Sequence, residues 1–222
     1  AELLVERRKK TNRDFSKVSW NFINMSNSSK NYKNGFTKNN SNNIRPDSKL
    51  LNSVTDTYFL RTKEIVTKFG DTDVTYAIFM RRPVLSAISP AIEWLSKIIE
   101  ERNSKVTITR LYKEGEYVGA GEPLAYISGS MSNLVDLETA LLQKIGATCV
   151  AAYNAKSMVL SLPNTFFLAM DARHCAGIDM ADLMAYGAYI GSDSAKQESK
   201  VKGFIGCATD RSAFLFKNSN GL

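Results

Sequence analysis

Hydrophobic positions recur with a structural period only from about residue 50 onward. Before that point apolar residues are scattered, and a short helix is expected at most over Glu2–Arg8. From there Phe59, Leu60, Ile65, Val66 and Phe69 carry a helical spacing that predicts a helix over Arg61–Phe69, stopped by Gly70. The β-branched and aromatic run Asp73–Met80 predicts a strand, ended by Arg81-Arg-Pro83. Ile92, Leu95, Ile98 and Ile99 predict a helix over Pro90–Arg102, with Pro90 in its first turn. Lys105–Leu111 alternates as a half-buried strand. Leu134, Leu137, Leu141, Leu142 and Ile145 make one face of a helix over Asn133–Ile145, and Ala147–Ala155 predicts a second helix.

After Ser157 the pattern changes. Short apolar runs at Met158–Leu162, Phe166–Met170 and Gly203–Ala208 read as strands, and Asp179–Ile190 reads as a helix with Met180, Leu183, Met184 and Gly187 inward. Strand, turn and helix in alternation imply parallel strands with helices outside. The expected class is α/β. It divides into a segment over 1–48, an N-terminal α/β domain with a β-turn module over 49–135, and the first strands of an incomplete α/β barrel over 136–222.

Charge changes the reading of the first segment only. Residues 1–50 hold 11 Lys and Arg against 4 Asp and Glu, whereas residues 51–222 hold 18 of each. The formal net charge of +7 therefore belongs to the N-terminal segment. Asparagine fills 9 of the 23 positions from Asn21 to Asn43. Such a composition offers too little apolar surface to offset chain entropy, so 1–48 is expected to be disordered and basic. No apolar run approaches the roughly 18 residues of a membrane span. The three cysteines, Cys149, Cys175 and Cys207, are widely spaced and form no CxxC, which argues against a disulfide framework or a zinc site and for a reducing, cytoplasmic setting.

Chemistry gathers where the Phe166–Met170 strand ends. In a parallel βα array ligand groups sit in the loops at strand C-termini. Asp171, Arg173 and the sole histidine of the chain, His174, occupy that position, and Thr209, Asp210 and Arg211 occupy it one unit later. A guanidinium can hold a carboxylate or phosphate through two hydrogen bonds, and an imidazole can donate or accept near neutral pH. The alternative is that these groups cap the following helices, as Asp179 is expected to do. Cys175 beside His174 does not suggest a nucleophile, since adjacent residues seldom face each other. The glycine-rich stretch 115–129 matches neither GxGxxG nor GxxxxGK[ST]. It has the turn chemistry of carrier hairpins, but Lys113 and Lys144 do not fit a modified tip, so it reads as a structural β module.

Read together, Leu51–Leu60, Val118–Leu124, Leu137–Leu142, Ala172-Arg-His174 and Gly203–Gly206 resemble the nicotinate phosphoribosyltransferases, within the type II group that also holds quinolinate and nicotinamide enzymes. The resemblance covers roughly residues 50–222 and implies an α/β domain followed by an irregular α/β barrel. It implies transfer of a phosphoribosyl group from phosphoribosyl pyrophosphate to nicotinate, with Mg²⁺ and coupled ATP hydrolysis. The family's Asp-x-Tyr motif maps onto Asp56 and Tyr58, and the tyrosine stacks on the pyridine ring of a neighbouring subunit's site, so a homodimer with shared sites is expected. Arg173 maps onto the arginine of the substrate site, with His174 beside it; the 209–211 turn, Thr209 included, is expected to face the same site.

Family members continue into a Gly-Thr-Met-Pro-His segment whose histidine is phosphorylated; the resemblance puts that histidine beyond Leu222. About 65 residues follow Ser157, room for roughly three strands, whereas a closed eight-unit barrel takes about 250 residues. A fragment or split subunit is therefore expected, and the missing initiator Met agrees with truncation at the front. Three functions compete: nicotinate transfer; quinolinate transfer, which needs a denser cluster of cations for two carboxylates; and a non-catalytic scaffold using the basic segment on a partner such as RNA.

Overall fold

A computed structural model of the chain describes residues 2–7 and 48–222. The remainder of the basic, Asn-rich segment, with the disorder expected for it, lies outside the described residues. The described residues mix helices and strands in an α/β fold of three sheets.

The strand Glu2–Arg7 (β1) pairs antiparallel with Asp73–Phe79 (β2), from Glu2 opposite Phe79 to Arg7 opposite Val74. The short helix expected there is absent. Leu3, Leu4 and Val5 meet an available sheet edge, and the ladder of backbone hydrogen bonds overrides the local preference. Beyond β2 come Pro123–Ser130 (β6) and Val106–Arg110 (β4), both antiparallel, giving the order β1-β2-β6-β4. A two-stranded ribbon, Val84–Leu85 (β3) with Tyr117–Val118 (β5), completes the β-turn module.

Alternation in β2 buries Val74, Tyr76 and Ile78. They pack on helix Ser89–Glu101 (α3), which buries Pro90, Ala91, Trp94, Leu95 and Ile98, close to the face expected. Two helices precede the sheet, Ser48–Val54 (α1) and Thr57–Phe69 (α2), the second ending at Gly70 with φ 121° as the glycine predicted.

Two helices predicted within 133–155, and a strand after them, are replaced by other elements. Met131–Leu134 (α4) and a 3₁₀ turn at Val135–Leu137 lead into one helix, Glu138–Ser161 (α5). Gly146 does not break it, since an interior glycine costs a helix only about 1 kcal/mol. The Met158–Leu162 strand is absent because Ala152, Ala155 and Val159 continue a helical buried stripe through it, leaving Met158, Leu160 and Leu162 exposed.

Phe166–Ala169 (β7) and Gly203–Cys207 (β8) then pair in parallel, joined by helix Ile178–Glu198 (α6), as the alternation predicted. Met180 and Met184, expected in the core, are half-buried; the stripe that packs runs through Leu183, Tyr186, Gly187 and Ile190 instead. Residues Asp210–Ala213 (α7) and a 3₁₀ turn at Phe214–Phe216 follow β8. One apolar cluster joins the antiparallel sheet, α3, α5 and α6; a second, from Ala155 to Ala213, lies under β7 and β8. Helices α5 and α6 touch backbone to backbone: a Cβ at Gly191 would lie 2.1 Å from the Ala152 carbonyl oxygen.

Candidate functional site at the strand ends

Strand β7 ends at Ala169 and the backbone tightens at once. A 3₁₀ turn, Asp171–Arg173, is closed by the His174 N–H donating to the Asp171 carbonyl at 3.0 Å. The Cys175 thiol donates to the same carbonyl at 2.8 Å. Gly177, at φ 99°, then turns the chain into α6, a conformation that side-chain-bearing residues rarely adopt. The turn sends Arg173 and His174 outward, exposed at the C-terminal end of a parallel strand. Neither side chain has an ion-pair partner among the described residues.

Asp171 is different. Its Oδ2 is buried with no hydrogen-bond partner, and burial pushes its carboxyl above the ordinary range against the pull of His174.

The second turn lies beside the first, since the Ala208 N–H donates to the Ala169 carbonyl at 3.0 Å. Thr209 leads into α7 from this position. Its neighbours are engaged elsewhere. Arg211 Nε donates to Asp182 Oδ2, Ser212 Oγ donates to Asp182 Oδ1 at 2.7 Å, and Asp210 Oδ1 accepts from the Gly221 N–H at 2.8 Å. Arg211 therefore ties α7 to α6. Asp179, expected as a cap, stands exposed in the first turn of α6, whose N-cap is Gly177; Arg211 Nη2 approaches it at 3.8 Å.

Asp56 and Tyr58 sit together at the start of α2. The Asp56 N–H donates to Thr139 Oγ1 at 3.2 Å, and that hydroxyl donates back to Asp56 Oδ2 at 3.1 Å, joining the first turn of α2 to that of α5. Tyr58 is 59% exposed and leans on Phe59, with ring centroids 4.2 Å apart. Its phenol is raised above the ordinary value by desolvation and by the negative charges of Glu138 and Asp56. Burial and Asp56 raise Glu138 likewise. Among the described residues no hydrogen bond, ion pair or ring contact joins this pair to Arg173, His174 or Thr209. The fold thus collects Arg173, His174 and Thr209 at one end, and Asp56 and Tyr58 make no direct bond to them within the described residues.

Sequence reasoning missed the roles of three charged residues. Asp136 is 1% exposed and held by Arg102 and Lys63. Glu114 accepts from the N–H and hydroxyl of Ser89 at 2.9 and 2.8 Å and from the Tyr186 hydroxyl at 3.2 Å. Lys144 lies over the Trp94 ring, 5.5 Å from its centroid. All three join segments far apart in sequence, so no local spacing announces them. Among the described residues no group of three His, Cys, Asp or Glu side chains could hold a metal ion, and no helix is long and apolar enough to cross a membrane.

Residues 56–149 match the family model described as quinolinate phosphoribosyl transferase, N-terminal domain. That match supports the type II phosphoribosyltransferase family. It contains Asp56 and Tyr58, and ends before Arg173, His174 and Thr209. Two solved structures have a similar fold. Human nicotinic acid phosphoribosyltransferase aligns at 21% identity and a TM-score of 0.59, over 76% of this chain and 39% of its own. The nicotinate-nucleotide pyrophosphorylase of Pyrococcus furiosus aligns at 20% identity and a TM-score of 0.55, over 79% of this chain and 43% of its own. The chain thus spans about four-tenths of the length of the phosphoribosyltransferase-fold proteins it resembles. No curated protein sequence matches it.

Proposed function

We propose that the protein carrying this chain transfers a phosphoribosyl group from phosphoribosyl pyrophosphate to nicotinate. The pyridine nitrogen forms a bond to ribose C1 while the C1–O bond to pyrophosphate breaks, and pyrophosphate leaves with the electron pair. The observation that carries this reading is an exposed guanidinium and imidazole, Arg173 and His174, at the C-terminal end of a parallel strand, in a chain whose residues 56–149 match the N-terminal domain of the quinolinate member of the type II phosphoribosyltransferases. In this reading Arg173 grips an anionic group through two hydrogen bonds, His174 hydrogen-bonds beside it, and Thr209 lines the neighbouring turn.

Tyr58 then acts on a second copy. Its ring is exposed, and α2 buries none of its residues, leaving Ile65 and Phe69 exposed as well. A flat ring suits a pyridine face. We therefore read the active form as a homodimer in which Tyr58, with Asp56 at its base, completes the partner's site. Mg²⁺ and ATP are proposed as co-reactants on the resemblance alone. The described residues form no metal cage of their own, and none of them is assigned to either group.

Quinolinate is the second reading, favoured by the family model's own description. Two carboxylates call for more cations than Arg173 supplies, and Asp56 and Glu138 make the surroundings of Tyr58 acidic, which favours the monocarboxylate. The test is product formation by the full-length protein with phosphoribosyl pyrophosphate and each acid in turn. Nicotinate mononucleotide formed from nicotinate, with slower turnover of quinolinate, is expected. Faster turnover of quinolinate transfers the assignment to the second reading, and no nucleotide from either acid ends both.

A further inference from the structure

A second cation lies at the same end of the fold with no hydrogen-bonded or ion-paired anion among the described residues. Helices α5 and α6 run side by side in the same direction: a Cβ at Gly187 would meet Thr148 and Ala151, one at Gly191 would meet Ala152 and Lys156, and Lys156 pairs with Glu198. Counting back along this register brings Lys144 of α5 level with the first turns of α6, and the charge of Asp179 reaches its ammonium. Those turns follow directly from the loop that carries Arg173 and His174. The Lys144 amine is half-buried over the Trp94 ring, and among the described residues it has no carboxylate or carbonyl in hydrogen-bonding range. Burial lowers its pKa more than Asp179 raises it.

A half-desolvated ammonium held by a ring face, with Asp179 acting on it only through space, is an expensive arrangement for structure alone, because a cation–π contact replaces only part of the lost hydration. Its four-carbon stem allows the head to move. We propose that Lys144 is an anion-binding residue of the strand-end site, leaving the Trp94 face to hold an oxygen of a phosphate or pyrophosphate group also reached by Arg173. Two cations on separate elements suit a tetrahedral polyanion with oxygens on several sides better than one planar carboxylate. The proposal rests on the strand-end site of the reading above, and not on the identity of the pyridine.

Inorganic pyrophosphate is the probe, titrated calorimetrically into the full-length protein and its Lys144→Met and Lys144→Arg variants. The expected result is binding weakened about tenfold or more in Lys144→Met and largely retained in Lys144→Arg, since a charge-assisted hydrogen bond is lost in the first only. Unchanged affinity in Lys144→Met overturns the proposal, as does a wild-type protein that does not bind pyrophosphate. Because Lys144→Met also alters the Trp94 contact, a footprint on the unmutated protein stands beside it. An amine-acylating ester is applied with and without pyrophosphate, and modified peptides are quantified. Protection of Lys144 with no protection of exposed Lys113 is expected, and equal labelling of Lys144 in both arms overturns the proposal. Protection without nucleotide formation from any pyridine acid leaves the Lys144 assignment intact and removes the function; nucleotide formation without protection does the reverse.

Discussion

Arg102 closes on Asp136 with two parallel hydrogen bonds, Nη1 to Oδ1 at 2.9 Å and Nη2 to Oδ2 at 2.7 Å. Lys63 adds a third at 2.8 Å, so one buried carboxylate ties α2, the end of α3 and the turn before α5. Removing one partner of a buried pair leaves its charge uncompensated. Arg102→Ala is expected to destabilise the chain by about 3 kcal/mol, and Arg102→Lys by less, since the two-point geometry is lost but not the charge. Urea unfolding checks both; a cost of Arg102→Ala within about 0.5 kcal/mol of zero would show that the pair contributes nothing.

The same carboxylate gives stability a pH dependence of known sign. Burial alone would raise Asp136, but Arg102 and Lys63 outweigh it and hold the carboxyl below its usual range. A depressed folded-state pKa contributes stability that is complete above the unfolded value of about 3.9 and is lost as pH falls through the lower folded value. Wild-type stability is expected to drop below about pH 4 more steeply than that of Asp136→Asn. Parallel acid profiles of the two would refute the assignment.

Gly191 is where the α5–α6 contact tolerates no side chain. A Cβ there would lie 2.1 Å from the Ala152 carbonyl oxygen and 2.9 Å from the Lys156 nitrogen, all backbone atoms that cannot swing aside. Gly191→Ala gains helix propensity, yet the helices must separate, at an expected net cost of about 3 kcal/mol. The check is the thermal midpoint, which should fall by several degrees; a rise would mean that propensity wins.

How far the sequence could be read follows from the range of each interaction. Strand β2, helix α3 and the β7–α6–β8 unit were legible because periodicity and glycine or proline punctuation are local. The strand at Glu2–Arg7 was not, because its stability comes from β2, some seventy residues away. The end of α5 misled for the opposite reason: Met158-Val-Leu160 looks like a strand in a short window, and only the longer stripe from Ala152 to Val159 marks a helix. At the candidate site, the strand-end position of Arg173 and His174 was legible from the alternation. The commitment of Arg211 to Asp182 and the placement of Lys144 beside α6 depend on packing between helices, which no motif encodes.

The three cysteines are free and should differ sharply in reactivity. Burial pushes the Cys149 thiol up to about 12 and raises Cys207 as well. The thiolate is the nucleophile, so both are expected to resist iodoacetamide at pH 8 in the folded chain. Cys175, partly exposed beside His174, should be labelled first. Peptide mapping after brief alkylation reads the order, and rapid labelling of Cys149 would contradict the packing of α5.

Glu114 and Tyr186 offer a test of how the β-turn module is held to α6. Glu114 Oε1 accepts from the N–H and hydroxyl of Ser89 at the start of α3 and from Arg110, while Oε2 accepts from the Tyr186 hydroxyl at 3.2 Å. Burial, then the charge of Glu114, raises the Tyr186 phenol, so it remains a proton donor throughout the neutral range. Tyr186→Phe removes the bond to Glu114 together with the hydroxyl's contact to Ser89 and should cost about 1 kcal/mol or more. Glu114→Ala also leaves the Ser89 N–H without its acceptor and should cost about 2–3 kcal/mol. The double variant loses the shared bond only once, so the two costs should fall short of additivity by about 0.5–1 kcal/mol in a double-mutant cycle. Additive costs in urea unfolding would mean that the 3.2 Å contact is incidental and that some other packing holds the module to α6.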